Sequence, residues 1–244
     1  MGEGSAPQRV LLKLSGNVFS GSGQAPFDRA AIDYIAAELA QARRGCRQIA
    51  VVVGGGNVIR GASFADEGPG RVRADYAGML ATVMNALMLQ EALERHQVPA
   101  TRYGAVPITR VLPAFEPAAA IADLQEGRVV LLGGGTGNPF FTTDTAAALR
   151  GIELEAELLL KATRVPGVYS ADPERVDSAE FFPHISYRQV LERRLGVMDL
   201  AAVSLCMEHR LPVRVFDYSQ SGNLRRAAAG EPLGTLIGSE KDGG

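Results

Sequence analysis

The chain has 244 residues and a formal net charge of −2, and 46% of it is hydrophobic. That is enough apolar material for one α/β domain with a sizeable core, and too much for a disordered chain. A near-neutral balance with no long basic run excludes nucleic acid as an expected main partner, and no apolar stretch approaches the length of a membrane span.

Met1 to Ser5 do not open a signal peptide. Cys46 and Cys206 have no ligand spacing, so they are expected as buried thiols of a cytoplasmic protein. His96, His184 and His209 form no metal pattern. Only Lys13, Lys161 and Lys241 among the 25 basic residues are lysines. Lys241 lies in a polar tail. Lys13 and Lys161 close apolar strands, where a cation is expensive unless paired. Their survival there suggests a site shaped for compact ammonium groups rather than planar guanidinium forks.

In chain order, residues 9–14 read as a buried strand that runs into a Ser15–Gly16 turn, with Lys13 at its C-terminal end. A Gly-, Ser- and Pro-rich loop follows over 17–28. Asp28 then caps a helix over 29–44 with an apolar stripe of Ile32, Ile35, Ala36 and Leu39, and Gly45 ends it. A second buried strand, 49–53, discharges into Gly54, Gly55, Gly56 and Asn57 and then a predicted helix N-terminus from Val58. The glycines match neither the G-x-G-x-x-G fingerprint nor a Walker A loop. Arg60 is either a phosphate ligand or an ordinary solvated helix charge.

A long helix is predicted over 74–96. Asp75 is either its first-turn acid or an acceptor for the hydroxyls of a ligand such as a ribose, and Met79, Met84 and Met88 suit core or subunit packing. A strand over 98–105 and a short helix over 116–124 lead to what reads as the central strand, 128–132. Gly133, Gly134, Gly135, Thr136, Gly137, Asn138, Pro139, Phe140, Phe141, Thr142, Thr143 and Asp144 follow, then good helix formers, with Thr142, Thr143 and Asp144 as candidate caps. Strands that empty through glycines towards helix N-termini aim bare N–H groups at one spot, which suits a phosphate.

A strand over 157–163 ends near Lys161. The loop over 165–173 holds Tyr169 and Asp172, which offer a flat ring and an acceptor to a nucleobase or ribose, or make a plain Asp-Pro turn. Helices over 186–194 and 199–210, a strand over 212–216, a helix over 223–229, an edge strand over 234–238 and a polar tail over 239–244 complete the chain. The alternation predicts a three-layer α/β/α sandwich with a mainly parallel sheet in a single domain, its core about residues 9–238.

Two glycine-lined strand ends, two strand-end lysines and the acid Asp144 suit phosphoryl transfer, in which protein groups position two substrates and spread positive charge around the moving group. Several stretches carry a resemblance across almost the whole chain: 11–16, 54–57 with Arg60 and Gly61, Asp75 with 78–85, 136–144, 161–163, Asp172-Pro173 and 197–202. They resemble the bacterial UMP kinases of the amino-acid kinase family, and the block from Gly137 to Asp144 is the part specific to those kinases.

The resemblance implies transfer of the γ-phosphoryl group of ATP to UMP. It assigns Lys13, Asp144 and Lys161 to catalysis. It gives Lys13, Leu14, Ser15, Gly16, Gly56, Arg60, Thr163, Tyr169 and Asp172 to ATP. It gives Gly55, Asp75, Thr136, Gly137, Asn138, Pro139, Phe140, Phe141, Thr142 and Thr143 to UMP. It also implies Mg2+ carried mainly by the ATP phosphates, a homohexamer, activation by GTP and inhibition by UTP. The chain departs from the family's usual residues at Asn17 and Pro166. The competing readings are a kinase of the same family acting on a small carboxylic acid, against which the Phe140–Thr143 block argues, and a non-catalytic nucleotide sensor or storage assembly.

Overall fold

The computed structural model describes residues 6–21, 25–59, 70–173, 175–176 and 178–239. Arg60, Gly61 and the tail residues 240–244, Lys241 included, lie outside the described residues, as do 1–5.

An eight-stranded sheet runs through the molecule. In chain order its strands are β1 (Arg9–Leu14), β2 (Gln48–Val53), β3 (Ala100–Gly104), β4 (Val129–Gly133), β5 (Leu158–Thr163), β8 (His184–Ser186), β9 (Val213–Asp217) and β10 (Thr235–Gly238). A separate antiparallel ribbon pairs β6 (Val168–Tyr169) with β7 (Phe181–Phe182). The order across the sheet is β3-β4-β2-β1-β5-β9-β10-β8, with every pairing parallel except β9 with β10. Strands β1 and β2 are buried at every position, as expected of parallel strands covered on both faces.

Among the described residues the α-helices are α1 (Arg29–Ala42), α2 (Arg71–Arg95), α3 (Pro117–Gln125), α4 (Thr143–Glu153), α5 (Tyr187–Glu192), α6 (Leu200–Glu208) and α7 (Asn223–Ala228). One core layer joins α1, α2 and α7 to Val10, Leu12 and Leu14 of β1 and to Leu158, Leu160 and Ala162 of β5. The other joins α3, α4, α5 and α6 to Leu11 and Leu159. Because side chains alternate along a strand, Lys13 and Lys161 belong to the same face as Leu11 and Leu159. The sequence expectation of a three-layer sandwich thus agrees with the structure, and so do the caps: Asp28 accepts from the Ala30 N–H and Thr142 from the Asp144 N–H.

Four local expectations need correction. The strand expected over 234–238 is β10, at 235–238, and it lies inside the sheet between β9 and β8; the edge is the three-residue β8, too short to announce itself in sequence. Strand β4 is not central but second from the other edge. The chain after β2 makes a turn over residues 56–58, closed by the Val58 and Ile59 N–H groups on the Gly55 carbonyl, rather than starting a helix there. Helix α2 begins at Arg71, behind Gly70 at φ 78°, so Asp75 sits beyond its first turn. Both cysteines are buried and unpaired, and no helix among the described residues is long and apolar enough to cross a membrane.

Leu160, fully buried beside Lys161, ties β5 to the α1 layer. Leu160→Ala is expected to cost about 2–5 kcal/mol of unfolding free energy, measured by urea denaturation.

Candidate active site

Lys13 and Lys161 are register partners on the neighbouring strands β1 and β5. With strands about 4.8 Å apart and both side chains on one face, two ammonium groups are forced close together at the C-terminal ends of the strands. Asp144, in the first turn of α4, enters between them. Its Oδ2 accepts a hydrogen bond from Lys161 Nζ at 2.6 Å. Its Oδ1 lies 2.8 Å from Lys13 Nζ, but out of line for a hydrogen bond, so that contact is an ion pair.

The three side chains are only 11–13% exposed. Burial alone would raise the Asp144 pKa; the Lys161 and Lys13 charges beside it, with the Lys161 hydrogen bond, outweigh it and hold the carboxyl below its ordinary value of 3.8. Burial pulls the Lys161 pKa below its ordinary value, with Lys13 adding to the effect and Asp144 opposing it. The position of Asp144 at a helix N-terminus adds a favourable field to its ionised form.

Helix α2 holds the two glycine turns beside this trio. Asn85 is fully buried. It donates to the Gly54 carbonyl at 2.6 Å and to Asn57 Oδ1 at 2.7 Å, and accepts from Asn57 Nδ2 at 3.0 Å. Asn57 donates onward to the Pro26 carbonyl at 2.7 Å. Thr82 accepts from the Gly134 N–H at 2.6 Å and returns its own proton to the Met79 carbonyl. Asp75 accepts from the Phe140 N–H at 2.8 Å and pairs with Arg71 at 2.9 Å. Residues 75, 82 and 85 share one face of the helix.

The backbone is as tight as the side chains. A Cβ on Gly16 would collide with Gly56 and Asn57, so the turns after β1 and β2 touch through bare backbone. Phe140 is held at φ 73°, a left-handed conformation that costs a non-glycine residue energy; the Asp75 hydrogen bond and the Arg71 guanidinium, 5.9 Å from its ring centre, accompany it.

A cleft of about 200 Å³ opens between α2 and these turns. Of the residues that the resemblance assigns to UMP, Gly55, Asp75, Thr136, Phe141, Thr142 and Thr143 line it. Gly137, Asn138, Pro139 and Phe140 are not part of its wall: the Asn138 N–H and side chain fold back on Thr136, and Phe140 is 65% exposed. Of those assigned to ATP, Gly56 lines the cleft. Ser15 precedes a 3₁₀ turn (Gly16–Phe19) without capping it. Leu14 is buried, so it can offer only backbone, and its carbonyl already accepts from the Gly54 N–H at 2.8 Å.

Thr163, at the end of β5, donates to the Val165 and Phe216 carbonyls. Tyr169 packs edge-on against Phe181 with ring centres 5.3 Å apart, and Asp172 pairs with Arg175 at 3.2 Å. The departures Asn17 and Pro166 are both exposed. A wider hollow, about 620 Å³, lies beside β3 and the turn over 107–114 and contains none of the assigned residues. Asn57, Thr82 and Asn85 have no role that the sequence alone assigns. Their signal is present there all the same, since Thr82 and Asn85 are polar residues on the buried face of α2.

The sequence pattern that defines the amino acid kinase family matches residues 8–217. The chain belongs to the amino acid kinase family. Within that family this kinase is 50% identical over 230 residues to the uridylate kinase of Photorhabdus laumondii, an alignment that covers 94% of this chain and 95% of that protein. It is 48% identical over 235 residues to the uridylate kinase of Vibrio campbellii, covering 96% and 97%. Its fold superposes on the crystal structure of UMP kinase from Bacillus anthracis with a TM-score of 0.93 at 33% identity, covering 97% of this chain and 98% of that one. For UMP kinase from Ureaplasma parvum the values are 0.89, 28%, 95% and 99%.

A carboxyl whose folded pKa is depressed stabilises the fold fully above its unfolded value, and this stabilisation drains as pH falls through the folded value. Wild type is therefore expected to be more stable than Asp144→Asn at pH 7, with the gap closing as pH drops below about 4. Denaturation series on both proteins between pH 7 and 3 check this.

Proposed function

We infer that this kinase transfers the γ-phosphoryl group of ATP to UMP, giving UDP and ADP. The observation that carries the reading is the Asp144 carboxylate bridging two buried ammonium groups beside two bare glycine turns; the similarity to uridylate kinases supports the choice of acceptor.

An oxygen of the UMP phosphate attacks the γ-phosphorus, the bond to the β,γ-bridging oxygen breaks, and ADP leaves with the electron pair. A phosphate monoester has its second pKa near 6, so the nucleophile is already ionised and needs no general base. Asp144 is therefore free to hold the Lys13 and Lys161 ammoniums charged and aimed. In a site poor in water those charges stabilise the negative charge that spreads over the transferring group and the leaving oxygen.

ATP enters as its magnesium complex. Its cation is carried on phosphate oxygens, so no all-protein cage is required. Gly55, Asp75, Thr136, Phe141, Thr142 and Thr143 receive UMP, with Gly137, Asn138, Pro139 and Phe140 shaping the turn. Lys13, Leu14, Ser15, Gly16, Gly56, Thr163, Tyr169 and Asp172 receive ATP.

The protein acts in the cytoplasm as a single-domain subunit of a homohexamer, activated by GTP and inhibited by UTP, as the resemblance implies. Self-association is supported by the outer face of α2, where Val72, Tyr76, Leu80, Met84 and Met88 are 37–50% exposed at steps of four residues. Such a row forms a ridge suited to packing against the same ridge of a second copy.

ADP release coupled to a dehydrogenase, measured across UMP, CMP and small carboxylic acids, is expected to give turnover on UMP; turnover only on an acid would reject the reading. Tight binding of ATP and UMP without turnover would establish the sensor instead. Lys161→Ala is expected to lower kcat far more than it weakens UMP binding, because its charge acts mainly in the transition state. Asp75→Ala is expected chiefly to raise the KM for UMP. Leu80→Glu is expected to shrink the assembly in light scattering; an unchanged mass would remove α2 from the interface.

A further inference from the structure

Asp199 carries a charge into the site that the transfer chemistry of Lys13, Asp144 and Lys161 leaves unused. It caps α6, accepting from the Ala202 N–H at 2.9 Å, an ordinary duty for an aspartate at a helix start. The same carboxylate is reached from α4. The Thr145 hydroxyl lies 3.0 and 2.9 Å from its two oxygens, and the Thr142 hydroxyl donates to Oδ2. Thr142 and Thr145 stand on either side of Asp144, and Thr145 is 4% exposed. A helix cap requires none of these contacts to α4. Their effect is to pin the first turn of α4 at points before and after the residue that bridges the lysines.

The charges around Lys161 come from several elements. Strand β1 contributes Lys13 and α4 contributes Asp144. Helix α6 contributes Asp199, whose charge favours the ammonium form. It also contributes Cys206, whose thiol is pushed up to about 12 by burial and then by the charges of Asp144 and Asp199, and so stays neutral. Strand β9 pairs Lys161 with Val215, which is uncharged.

We propose that Asp199 is a positioning residue for phosphoryl transfer: through Thr142 and Thr145 it fixes the Asp144 carboxylate, and it adds a second negative charge to the field around Lys161. This rests on reading Lys13, Asp144 and Lys161 as the transfer groups. Asp144 and Asp199 both favour the ammonium form of Lys161 against the burial that works to remove its proton.

The test is charge removal at constant shape. Asp199→Asn keeps an oxygen for the Ala202 N–H. Its kcat is expected to fall about ten- to a hundredfold, the scale of a small misplacement of reacting groups. The KM values for ATP and UMP should stay within about twofold. The alkaline limb of its kcat–pH profile should move to lower pH, because Lys161 loses its proton sooner.

Thr145→Val should lower kcat similarly and Thr145→Ser should restore it. The pair of changes Asp199→Asn and Thr145→Val should cost no more than the worse single change, as expected of residues acting through one contact. This threonine pair decides the matter if Asp199→Asn folds poorly. Lowered melting temperatures with wild-type kcat and an unmoved pH profile would reduce Asp199 to a helix cap and overturn the proposal. Lys161→Ala is measured alongside. If it is inactive while Asp199→Asn is fully active, the Asp199 proposal alone fails; if Lys161→Ala retains wild-type kcat, the reading of the transfer groups fails and takes this proposal with it.

Discussion

Two ammonium groups stand side by side on adjacent strands of a buried sheet, and neither can spread its charge into water. Left alone they would repel each other and shed protons. One carboxylate placed between them changes the sign of the interaction, and much of the architecture follows from getting it there. Strands β1 and β5 must be neighbours in register. Helix α4 must lie on the face shared by Lys13 and Lys161, and it must begin where its first turn overhangs the strand ends. The Thr142 cap sets that starting point. A burial so nearly complete also lets the three charges act strongly on any anion that approaches them, since little water remains to screen them.

The second requirement is a firm setting for backbone that has no side chains of its own. Glycine turns approach phosphates closely because they are bare, and for the same reason they cannot pack themselves in place. Helix α2 supplies what they lack. Asn85, Thr82 and Asp75 reach one turn each: the turn after β2, the start of the turn after β4, and Phe140 further along it. The buried Asn85 and the half-buried Asn57 have their amide donors and acceptors matched to each other. A buried polar contact of this kind is costly to leave unmade and so specifies one position for the loop.

What is legible in the sequence is what is local. Strands rich in Val, Ile and Leu, a cap at Asp28, cap candidates at Thr142, Thr143 and Asp144, and lysines out of place in an arginine-using chain can all be read without coordinates. The family resemblance extends that reading to individual residues. What is not legible depends on contacts between distant segments. Nothing in residues 234–238 says that a three-residue strand from 184–186 will pair outside them. Nothing in Asn57 says that its partner waits 28 positions away. The turn after β2 reads as a helix start because a glycine run followed by apolar residues fits both. Asp199 is visible as part of a motif but not as a charge at the site, because its partners Thr142 and Thr145 come from a different helix.

Helix α2 shows two flanks with opposite characters. Inward it grips three pieces of loop through short polar contacts; outward it presents a greasy ridge from Val72 to Met88. Close-packed interiors transmit displacement rather than absorbing it. A neighbour leaning on the ridge would therefore move the glycine turns beneath it, and any ligand settling in those turns would push back on the neighbour. If the proposed self-association uses this ridge, a single cylinder would make quaternary contact and catalytic geometry two ends of the same lever.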